Sequence, residues 1–380
     1  MQRSAKASAE RLLIALVVFA CVALLRAQTP ASLPPWTPGT LDIHQISTGR
    51  GNSALLVLPD GTTLLVDAGP GGDVIARYIA RTLAPAPAAL DYAVLTHFHG
   101  DHVGGFDEVA ARVPIAAVID RGYDYLTPPD TDQTFSHYRA AVERLRAKGT
   151  RVDRIRVGRA DQITAHHPRP RGSGEPVEIR AVAANGDVWT GHGDETMRIF
   201  PPLASLGRDD IPSENMCSIG LRLRYGAFDY FTGGDMPGVP DAGAPAWQSV
   251  ETAVARAIGP TDVHVVDHHG SIDPESEEFL KTLRSPVMIL PSWSSTHPSQ
   301  DALKRMLAVR LYPGPHDVFA TLVRPETKAS IGARADQLKA DHGHIVVRVA
   351  PGGASYQVFV LDETRDAAPV LAVHGPYSSK

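Results

Sequence analysis

The sequence contains 380 residues, of which 43% are hydrophobic and 21% are charged, and its formal net charge is −5. This composition is typical of an ordinary globular protein, large enough for one large or two medium domains. With only two cysteines, Cys21 and Cys217, it excludes a fold held by a disulfide framework, and the negative charge disfavours polyanion binding.

The first residues are typical of an export signal. Basic residues precede an uncharged apolar run over residues 12–25, which Arg26-Ala27-Gln28 follows. This run is short for a membrane span, so we expect cleavage after Ala27 and a periplasmic or secreted protein. The alternatives are a retained membrane anchor and lipidation at Cys21, because Ala20-Cys21 resembles a lipoprotein box.

The chain divides into four predicted segments. These are a signal peptide over residues 1–27, a proline-rich leader over 28–40, a main domain over 41–363 and a C-terminal tail over 364–380. Cleavage of the signal peptide would remove four basic residues and one acidic residue and change the net charge from −5 to −8. Contact with a membrane is expected only through an uncleaved or lipidated N-terminus.

Apolar periodicity predicts the elements of the main domain. In chain order they are strands at 43–47, 53–58 and 62–67, a helix capped by Asp73, a strand at 92–96, a helix at 135–148, strands at 151–157 and 176–183, a loop at 185–214, strands at 219–224 and 228–232, a helix at 247–258, a strand at 263–266, a helix from Asp273, a strand at 287–290, a helix capped by Ser299, and strands at 345–349 and 356–361. Strands that alternate with helices in two halves of similar size suggest an α+β fold, a four-layer αββα sandwich.

A cluster of polar side chains follows the predicted strand 92–96. His97, His99, Asp101 and His102 place four imidazole or carboxylate groups within six residues. These are ligand types suited to Zn²⁺ and neighbouring divalent metals, and a turn after a strand can aim them at one point. The alternative is a surface loop of polar residues, which would explain any one of the four but not their tight grouping.

The cluster, followed by Val103-Gly104-Gly105, resembles the signature of the metallo-β-lactamase superfamily. Three other motifs extend the resemblance: Val66-Asp67-Ala68-Gly69, Thr232-Gly233-Gly234-Asp235, and the segment 265–271 with its two histidines. The segments 49–53, 215–218 and 296–298 are most similar to the soluble ComEC-like branch, a group related to competence proteins. The resemblance covers most of residues 41–362 and implies the metallo-β-lactamase fold.

The resemblance also implies a set of metal ligands. His97 and His99 would hold a first divalent ion, Asp101, His102 and either His268 or His269 a second, and Asp235 would bridge the two. His269 is favoured over His268 because it adjoins Gly270. Asp67 would support the site without binding a metal. The ions are expected to be Zn²⁺, with Mn²⁺ as the alternative.

One ligand of many superfamily members has no clear counterpart. His192 is the candidate on the right part of the chain, but its surroundings do not match, and Asn215 and Ser218 occupy the aligned position. We therefore expect a more open first metal site. Asp101 and His297 are the candidate catalytic residues, with His297 either a general acid or oxyanion donor or a histidine with no catalytic role.

These features predict an exported metal-dependent hydrolase. Paired divalent ions would activate a bridging water and polarise the bond under attack, which suits a phosphodiester or phosphomonoester. Lactone, β-lactam or thioester hydrolysis is the alternative reaction, and a catalytically silent metal- or ligand-binding protein is the alternative class.

A small-molecule or phosphodiester substrate is expected, whereas a nucleic acid is not favoured by the net charge. The basic-rich stretch that a nuclease would use is Arg151, Arg154, Arg156, Arg159, Arg169, Arg171 and Arg180. A solvated strand and loop is the better interpretation of that stretch. The oligomeric state is not predicted.

Overall fold

The structure, a computed structural model, describes residues 32–128, 133–168, 176–240 and 243–380. The expected signal peptide, residues 28–31 of the leader, and two arginines of the basic-rich stretch, Arg169 and Arg171, lie outside the described residues. Among the described residues, no helix has the length and hydropathy needed to cross a membrane.

The described elements follow the predicted alternation of strands and helices. The strands are β1 Leu41–Gln45, β2 Ala54–Val57, β3 Thr63–Val66, β4 Leu90–Leu95, β5 Ile115–Asp120, β6 Arg151–Arg154, β7 Val177–Ala184, β8 Asp187–Trp189, β9 Thr196–Arg198, β10 Gly220–Tyr225, β11 Phe228–Thr232, β12 Val263–Val265, β13 Val287–Leu290, β14 Asp317–Ala320, β15 His344–Val349, β16 Ser355–Leu361 and β17 Val370–Ser378. The α-helices are α1 Gly72–Leu83, α2 Gly100–Val103, α3 Phe106–Arg112, α4 Thr134–Ala147, α5 Val250–Ile258, α6 Glu277–Leu283, α7 Gln300–Met306 and α8 Pro325–Ile331.

The strands form two mixed sheets. The first has nine strands in the order β17-β16-β15-β1-β2-β3-β4-β5-β6, and the second has eight in the order β14-β13-β12-β11-β10-β7-β8-β9. The strands from β3 to β6 pair in parallel, as do those from β11 to β14. The carboxyl ends of each parallel set therefore lie at one edge, where folds of this kind place ligand-binding loops.

The sequence pattern of β4 shows why the sheets stack in layers. Tyr92 and Val94 belong to the apolar core between the two sheets, whereas Ala93 and Leu95 pack against the helices α1, α3 and α4. A strand that is apolar on both faces is stable only when both faces are covered. The second sheet is covered in the same way by α5, α6 and α7, so the predicted four-layer αββα sandwich is confirmed.

The C-terminal boundary differs from the prediction. The domain was expected to end at residue 363, but β17 pairs antiparallel with β16 through Val360 and Ala372. The Tyr377 hydroxyl also donates a 2.7 Å hydrogen bond to Asp317 at the end of the other sheet. Residues 370–378 are therefore an edge strand of the first sheet and not part of a separate tail.

The described part of the leader also contacts the domain. Trp36 packs on the helix-side core of the first sheet and donates its indole N–H to the Thr40 carbonyl at 2.8 Å. Arg348 donates to the Pro34 carbonyl at 2.7 Å. Residues 32–40 thus lie against β1 and β15 instead of acting as a free spacer.

The predicted loop over residues 185–214 is only partly a loop. β8 and β9 form a small hairpin that extends the second sheet beyond β7. The rest of the segment contains short 3₁₀ turns and ends at the buried Glu214. Its high glycine, proline and aspartate content concealed three-residue strands that are too short to show a period.

Candidate metal centre

The histidine cluster lies where β4 ends and α2 begins. The His99 carbonyl accepts the first helical hydrogen bonds, from the backbone N–H groups of His102 and Val103 at 2.9 and 3.0 Å. This single turn folds Asp101 and His102 back toward His97. Gly51, in the left-handed region at φ 78°, lies against the turn, and a Cβ there would come within 2.0 Å of the Asp101 carbonyl oxygen.

Asp67 supports the histidine cluster through hydrogen bonds. It is fully buried, and its two carboxylate oxygens accept hydrogen bonds from the Thr96 backbone N–H at 2.7 Å, the Thr96 hydroxyl at 2.9 Å and the Asn52 amide at 2.9 Å. The same carboxylate lies 2.7 Å from His102 Nδ1. Asp67 therefore orients the ring of His102 from outside the cluster, the supporting position that the sequence predicted for it.

Four side chains converge on one point beside α2. Asp101, His102, Asp235 and His269 each present one possible ligand atom, and these atoms all lie within 4.8 Å of one another. His102 Nε2 is 3.2 Å from His269 Nε2 and 3.0 Å from Asp235 Oδ1. His269 Nε2 is also 3.2 Å from Asp101 Oδ2. We call these four residues the second group.

The protons on the two rings indicate what the second group can bind. His102 Nδ1 donates to Asp67, and His269 Nδ1 donates to the Pro291 carbonyl at 2.9 Å. A ring with one proton then carries a bare lone pair on Nε2. Two such lone pairs face each other and two carboxylates, an arrangement that repels unless a metal cation or a further ring proton lies among them. Burial lowers the pKa of His102, but the charges of Asp235 and Asp67 outweigh it and raise the pKa well above its usual range, so a proton takes the place of the cation when no metal is bound.

Three side chains form a first group nearby: His97, His99 and Asp235, whose ligand atoms also lie within 4.8 Å of one another. His97 Nε2 is 3.2 Å from His99 Nδ1 and 3.7 Å from Asp235 Oδ2. The Thr96 hydroxyl donates its proton to Asp67, so it accepts a hydrogen bond from His97 Nδ1, 3.2 Å away. The ring proton of His97 is then on Nδ1, and its Nε2 carries a free lone pair. Asp235 thus directs Oδ1 to the second group and Oδ2 to the first group, as a bridging ligand would.

A family model with the description "Metallo-beta-lactamase superfamily" matches residues 47–291, more than half of the chain. This match spans both groups and all of the sequence motifs that hold them. The chain belongs to the metallo-beta-lactamase superfamily. The resemblance stated from the sequence is confirmed at that level.

Individual relatives match shorter parts of the chain. The lactamase-like protein nscB of Trichophyton rubrum is 26% identical over 185 residues, 47% of this chain and 49% of that protein. The atrochrysone carboxyl ACP thioesterase dmxR1 of Cryptosporiopsis sp. is 28% identical over 142 residues, 33% of this chain and 43% of that protein. The chain thus spans about half or less of the length of these curated relatives. Neither is named as a competence protein, so the ComEC-like branch stays a prediction.

A solved metallo-beta-lactamase, SMB-1 bound to 2-mercaptoethanesulfonate, aligns over 63% of this chain and 80% of its own at 16% identity. Its TM-score of 0.34 is too low to carry an argument. The assignment to the superfamily therefore depends on the family model and agrees with the sheet order and layers described above.

The superfamily's last metal motif forms a strained turn. His268, His269 and Gly270 all have positive φ, at 42°, 56° and 71°. This backbone, uncommon for residues with a Cβ, directs the two histidine rings apart. The ring of His269 enters the second group, whereas the ring of His268 lies 3.9 Å from Asp235 Oδ2.

His268 is held by polar partners on both sides. Its Nδ1 lies 2.7 Å from an oxygen of Asp273, and its Nε2 accepts from the Asn215 amide at 3.1 Å. Both ring nitrogens are thus engaged. Asn215 in turn has a buried side-chain oxygen without a hydrogen-bond partner. This pair lies on the Asp235 Oδ2 side, beside the first group.

Two further candidates occupy different positions. The ring of His297 stacks on His269 with centroids 5.3 Å apart and an interplanar angle of 17°. Burial, followed by the charges of His269 and His268, lowers the pKa of His297 to about 4. Its ring is therefore neutral near pH 7.

His192 is exposed in the turn between β8 and β9 and belongs to no ligand group among the described residues.

The charges at the centre favour ionised carboxylates. Burial raises the pKa of Asp235, but the charges of His102 and His269 outweigh it and hold the pKa well below its usual range. Burial likewise raises the pKa of Asp101, but its hydrogen bond with His269 lowers it. Burial also lowers the pKa of His97 well below its usual range, so this imidazole is neutral.

Sequence reasoning missed a buried ion pair beside the cluster. Glu214 accepts the backbone N–H of Phe98 at 2.9 Å and the Arg121 Nε–H at 2.9 Å. Arg121, buried at the end of β5, also lies over the Phe98 ring at 4.8 Å. The pair ties the segment before Asn215 to the histidine loop. Its one sequence signal was an arginine directly after an apolar strand.

The described arginines of the basic-rich stretch form ion pairs with carboxylates. The pairs are Arg151 with Asp153, Arg154 with Asp124, Arg156 and Arg159 with Asp161, and Arg180 with Glu178. A groove that binds phosphates needs cations free to neutralise them. These described arginines therefore agree with the solvated-surface interpretation.

Proposed function

We propose that this protein is a metal-dependent hydrolase whose centre holds two divalent metal ions. The observation that carries the proposal is the convergence of imidazole nitrogens and ionised carboxylates in two adjoining groups that share Asp235. Such a donor set fits Zn²⁺ or Mn²⁺ better than any arrangement of hydrogen bonds. When bound, the ions would supply Lewis acidity and an activated water.

The chain's own residues have distinct parts in this proposal. His97 and His99 would hold one ion, and Asp101, His102 and His269 the other, with Asp235 between them. Asp67 fixes the tautomer of His102, so that Nε2 keeps its lone pair for the metal. We assign His269 and not His268 to the second site because both nitrogens of His268 already have partners.

We propose that Asn215 takes the place of the absent middle histidine. His192 lies exposed in a turn, whereas the Asn215 amide contacts His268 beside the first group and its oxygen has no other partner. A neutral amide oxygen is a weaker ligand than an imidazole. The first site would then be the more open of the two, as expected from the sequence.

His297 is better suited to donating a hydrogen bond than to acting as a general acid. It stacks on His269, and its ring is neutral near pH 7. A neutral imidazole can still donate one N–H to a developing negative charge. We therefore propose His297 as an oxyanion donor.

Two substrate classes are proposed. A carboxylic thioester or ester is supported by the relatives named as thioesterases, which include that of Cryptosporiopsis sp.. A phosphodiester is supported by the ComEC-like motifs and by Arg50, an exposed cation that lies 5.3 Å over the ring of Trp293, which itself contacts His269. A cation there would attract an anionic substrate.

A screen of purified protein separates these classes. The substrates are an acyl-thioester, a p-nitrophenyl ester, bis-p-nitrophenyl phosphate, a lactone and nitrocefin, each tested with and without chelator. We expect hydrolysis of one class, loss of the rate on chelation and its return with Zn²⁺ or Mn²⁺. Full hydrolysis by metal-free protein contradicts the proposal, as does a metal-loaded protein that hydrolyses none of them.

Export remains a separate proposal. It is supported by the basic and apolar pattern of residues 1–27, which lies outside the described residues. N-terminal sequencing of the protein expressed in a bacterial host is expected to find Gln28 first, and a chain that begins at Met1 in the cytoplasm contradicts export.

A further inference from the structure

A second histidine–carboxylate cluster lies far from the metal centre. Asp91 is the second residue of β4, while His166 and His167 are consecutive residues in the connection between β6 and β7. Both imidazole Nε2 atoms are 3.1 Å from the same oxygen, Asp91 Oδ1. At about 3.3 Å per residue along β4, this oxygen is roughly 20 Å from His97.

The carboxylate of Asp91 is held in place by the neighbouring strand. Its other oxygen, Oδ2, accepts hydrogen bonds from the backbone N–H and the hydroxyl of Thr63, at 2.8 and 2.9 Å. Burial raises the pKa of Asp91, but the Thr63 and His167 hydrogen bonds outweigh it and lower the pKa. Oδ1 is thus an ionised oxygen, fixed in direction and available to the two rings.

The two histidines are held independently of their rings. The His166 backbone N–H donates to the Thr62 hydroxyl at 3.2 Å, and the His167 backbone N–H donates to Asp60 Oδ2 at 2.9 Å. These bonds fix the loop on the turn between β2 and β3. The rings therefore meet at Asp91 because the backbone places them there.

The hydrogen bond of His166 Nδ1 determines which nitrogen of this ring carries the proton. Its Nδ1 lies 3.0 Å from the Thr164 carbonyl oxygen, which can only accept, so Nδ1 carries the proton of a neutral ring. Nε2 then carries no proton, and its lone pair faces a lone pair of the Asp91 carboxylate. Either a second proton or a bound cation must lie between them.

We propose that Asp91, His166 and His167 form a binding site for one divalent transition-metal ion, separate from the metal centre. Metal–ligand bonds of about 2.0–2.1 Å place neighbouring ligand atoms about 3.0–3.4 Å apart, and both N···O distances here are 3.1 Å. The three ligand atoms lie within 4.8 Å of one another. The three atoms are thus close enough for the group to hold one ion.

The surroundings favour a surface ion with water in its remaining positions. The side chains of His166 and His167 are 46% and 43% exposed, whereas that of Asp91 is 19% exposed. Two imidazoles and one carboxylate suit Zn²⁺, Ni²⁺ or Cu²⁺ better than Ca²⁺ or Mg²⁺. The ion would link the connection after β6 to the start of β4 and so stabilise the fold.

The experiment counts bound metal in the full chain. Wild type, the double variant His166→Ala/His167→Ala and the control His342→Ala are dialysed against Zn²⁺, and bound zinc is measured by mass spectrometry. The control removes an exposed histidine whose side chain contacts a neighbouring carboxylate, Asp341, at 2.7 Å. We expect the double variant to bind one equivalent fewer than wild type and His342→Ala to match wild type.

Two further measurements keep the test independent of folding and of the centre. Cu²⁺ added to a His97→Ala/His102→Ala variant is expected to give an electron paramagnetic resonance signal with two coupled nitrogens, and His166→Ala/His167→Ala in that background is expected to lose it. Circular dichroism and the hydrolysis rate of the simple double variant are expected to match wild type. Equal zinc equivalents in wild type and double variant overturn the proposal, as does a copper signal unchanged by the loss of both histidines.

Discussion

At the scale of single residues, the centre depends on where protons sit on histidine rings. Asp67 binds no metal in our proposal, yet it decides which nitrogen of His102 carries the proton. The motif Val66-Asp67-Ala68-Gly69 identified this residue from the sequence. Its hydrogen bonds to Thr96 and Asn52 could not be predicted, because they join three segments that only the folded sheet brings together.

The first prediction concerns Asp67→Asn. The amide can present an N–H to His102 Nδ1, which would move the ring proton to Nε2, the nitrogen that faces Asp235. We expect metal affinity to fall about 10- to 100-fold, the usual effect of losing such a supporting carboxylate. Competition with a chromogenic chelator measures it. The control is Asp73→Asn, the same change on the exposed face of α1, and equal affinities for the two variants refute the role of Asp67.

The second prediction separates the paired histidines, which the sequence could not do. His269→Ala removes a ligand of the second group and is expected to lower the bound metal by about one equivalent. His268→Ala removes a ring that already has Asn215 and Asp273 as partners, so the wild-type metal content should remain while the rate falls. Metal analysis beside a rate assay decides it, and the reverse pattern would assign the ligand to His268.

At the scale of elements, helix starts were easier to predict than edge strands. Ser299 was expected to cap a helix, and its hydroxyl accepts the Ala302 N–H at 3.1 Å. Asp73 was expected to cap α1, but Gly71 stands there in the left-handed conformation and Asp73 lies inside the first turn. The hydrogen bond of a helix cap joins residues three positions apart, so a short stretch of sequence can indicate it. β17 depends instead on pairing with β16, and a short stretch of sequence does not contain both strands.

The third prediction tests one such cap. The Ser276 hydroxyl accepts the Phe279 N–H at 3.2 Å and begins α6, which packs Phe279 and Leu283 under the second sheet. Ser276→Ala leaves that N–H buried without a partner and is expected to lower the free energy of unfolding by about 1 kcal/mol. Urea denaturation measures the change. Ser295→Ala, at an exposed loop position, is the control and should have almost no effect; an equal loss in both variants would contradict the capping role.

At the scale of the whole molecule, the sheets hold one histidine in a state that links stability to pH. His344 begins β15, is 4% exposed, and its Nδ1 accepts the Ser47 backbone N–H at 3.0 Å. Burial, followed by the charge of Arg81, lowers the pKa of His344 from 6.5 to about 3. Its contribution to stability is therefore intact above pH 6.5 and is lost as the pH falls toward 3.

The fourth prediction follows from that sign. Each pH unit below 6.5 is expected to cost up to about 1.4 kcal/mol through His344. In His344→Gln, which cannot take up the proton, the loss of stability between pH 7.5 and pH 5 should be smaller by up to about 2 kcal/mol. Urea denaturation of chelator-treated protein at both pH values measures it. The exposed His342→Gln should keep the wild-type dependence, and a wild-type dependence in His344→Gln would contradict the assignment.

Over the whole chain, the sequence was most informative where chemistry and local pattern coincide. The six-residue cluster and the glycine-containing turns predicted the fold, and the structure places the side chains of the cluster close together. The second histidine–carboxylate cluster escaped notice because two strands and three helices lie between Asp91 and His166 in the chain. The pairing of Glu214 with Arg121 was also missed, since an arginine directly after an apolar strand does not indicate which carboxylate it will contact.

The most direct test of the metal centre is Asp235→Asn, measured for bound metal and for hydrolysis of whichever substrate the screen identifies. Asp235 is the one side chain that both groups share, 3.0 Å from His102 Nε2 and 3.7 Å from His97 Nε2. The amide removes the negative charge while keeping the shape. We predict that the variant keeps the circular dichroism of the wild type, binds at least one equivalent of metal fewer than the wild type, and hydrolyses at least about 100-fold more slowly. Wild-type metal content and rate in Asp235→Asn would contradict the account.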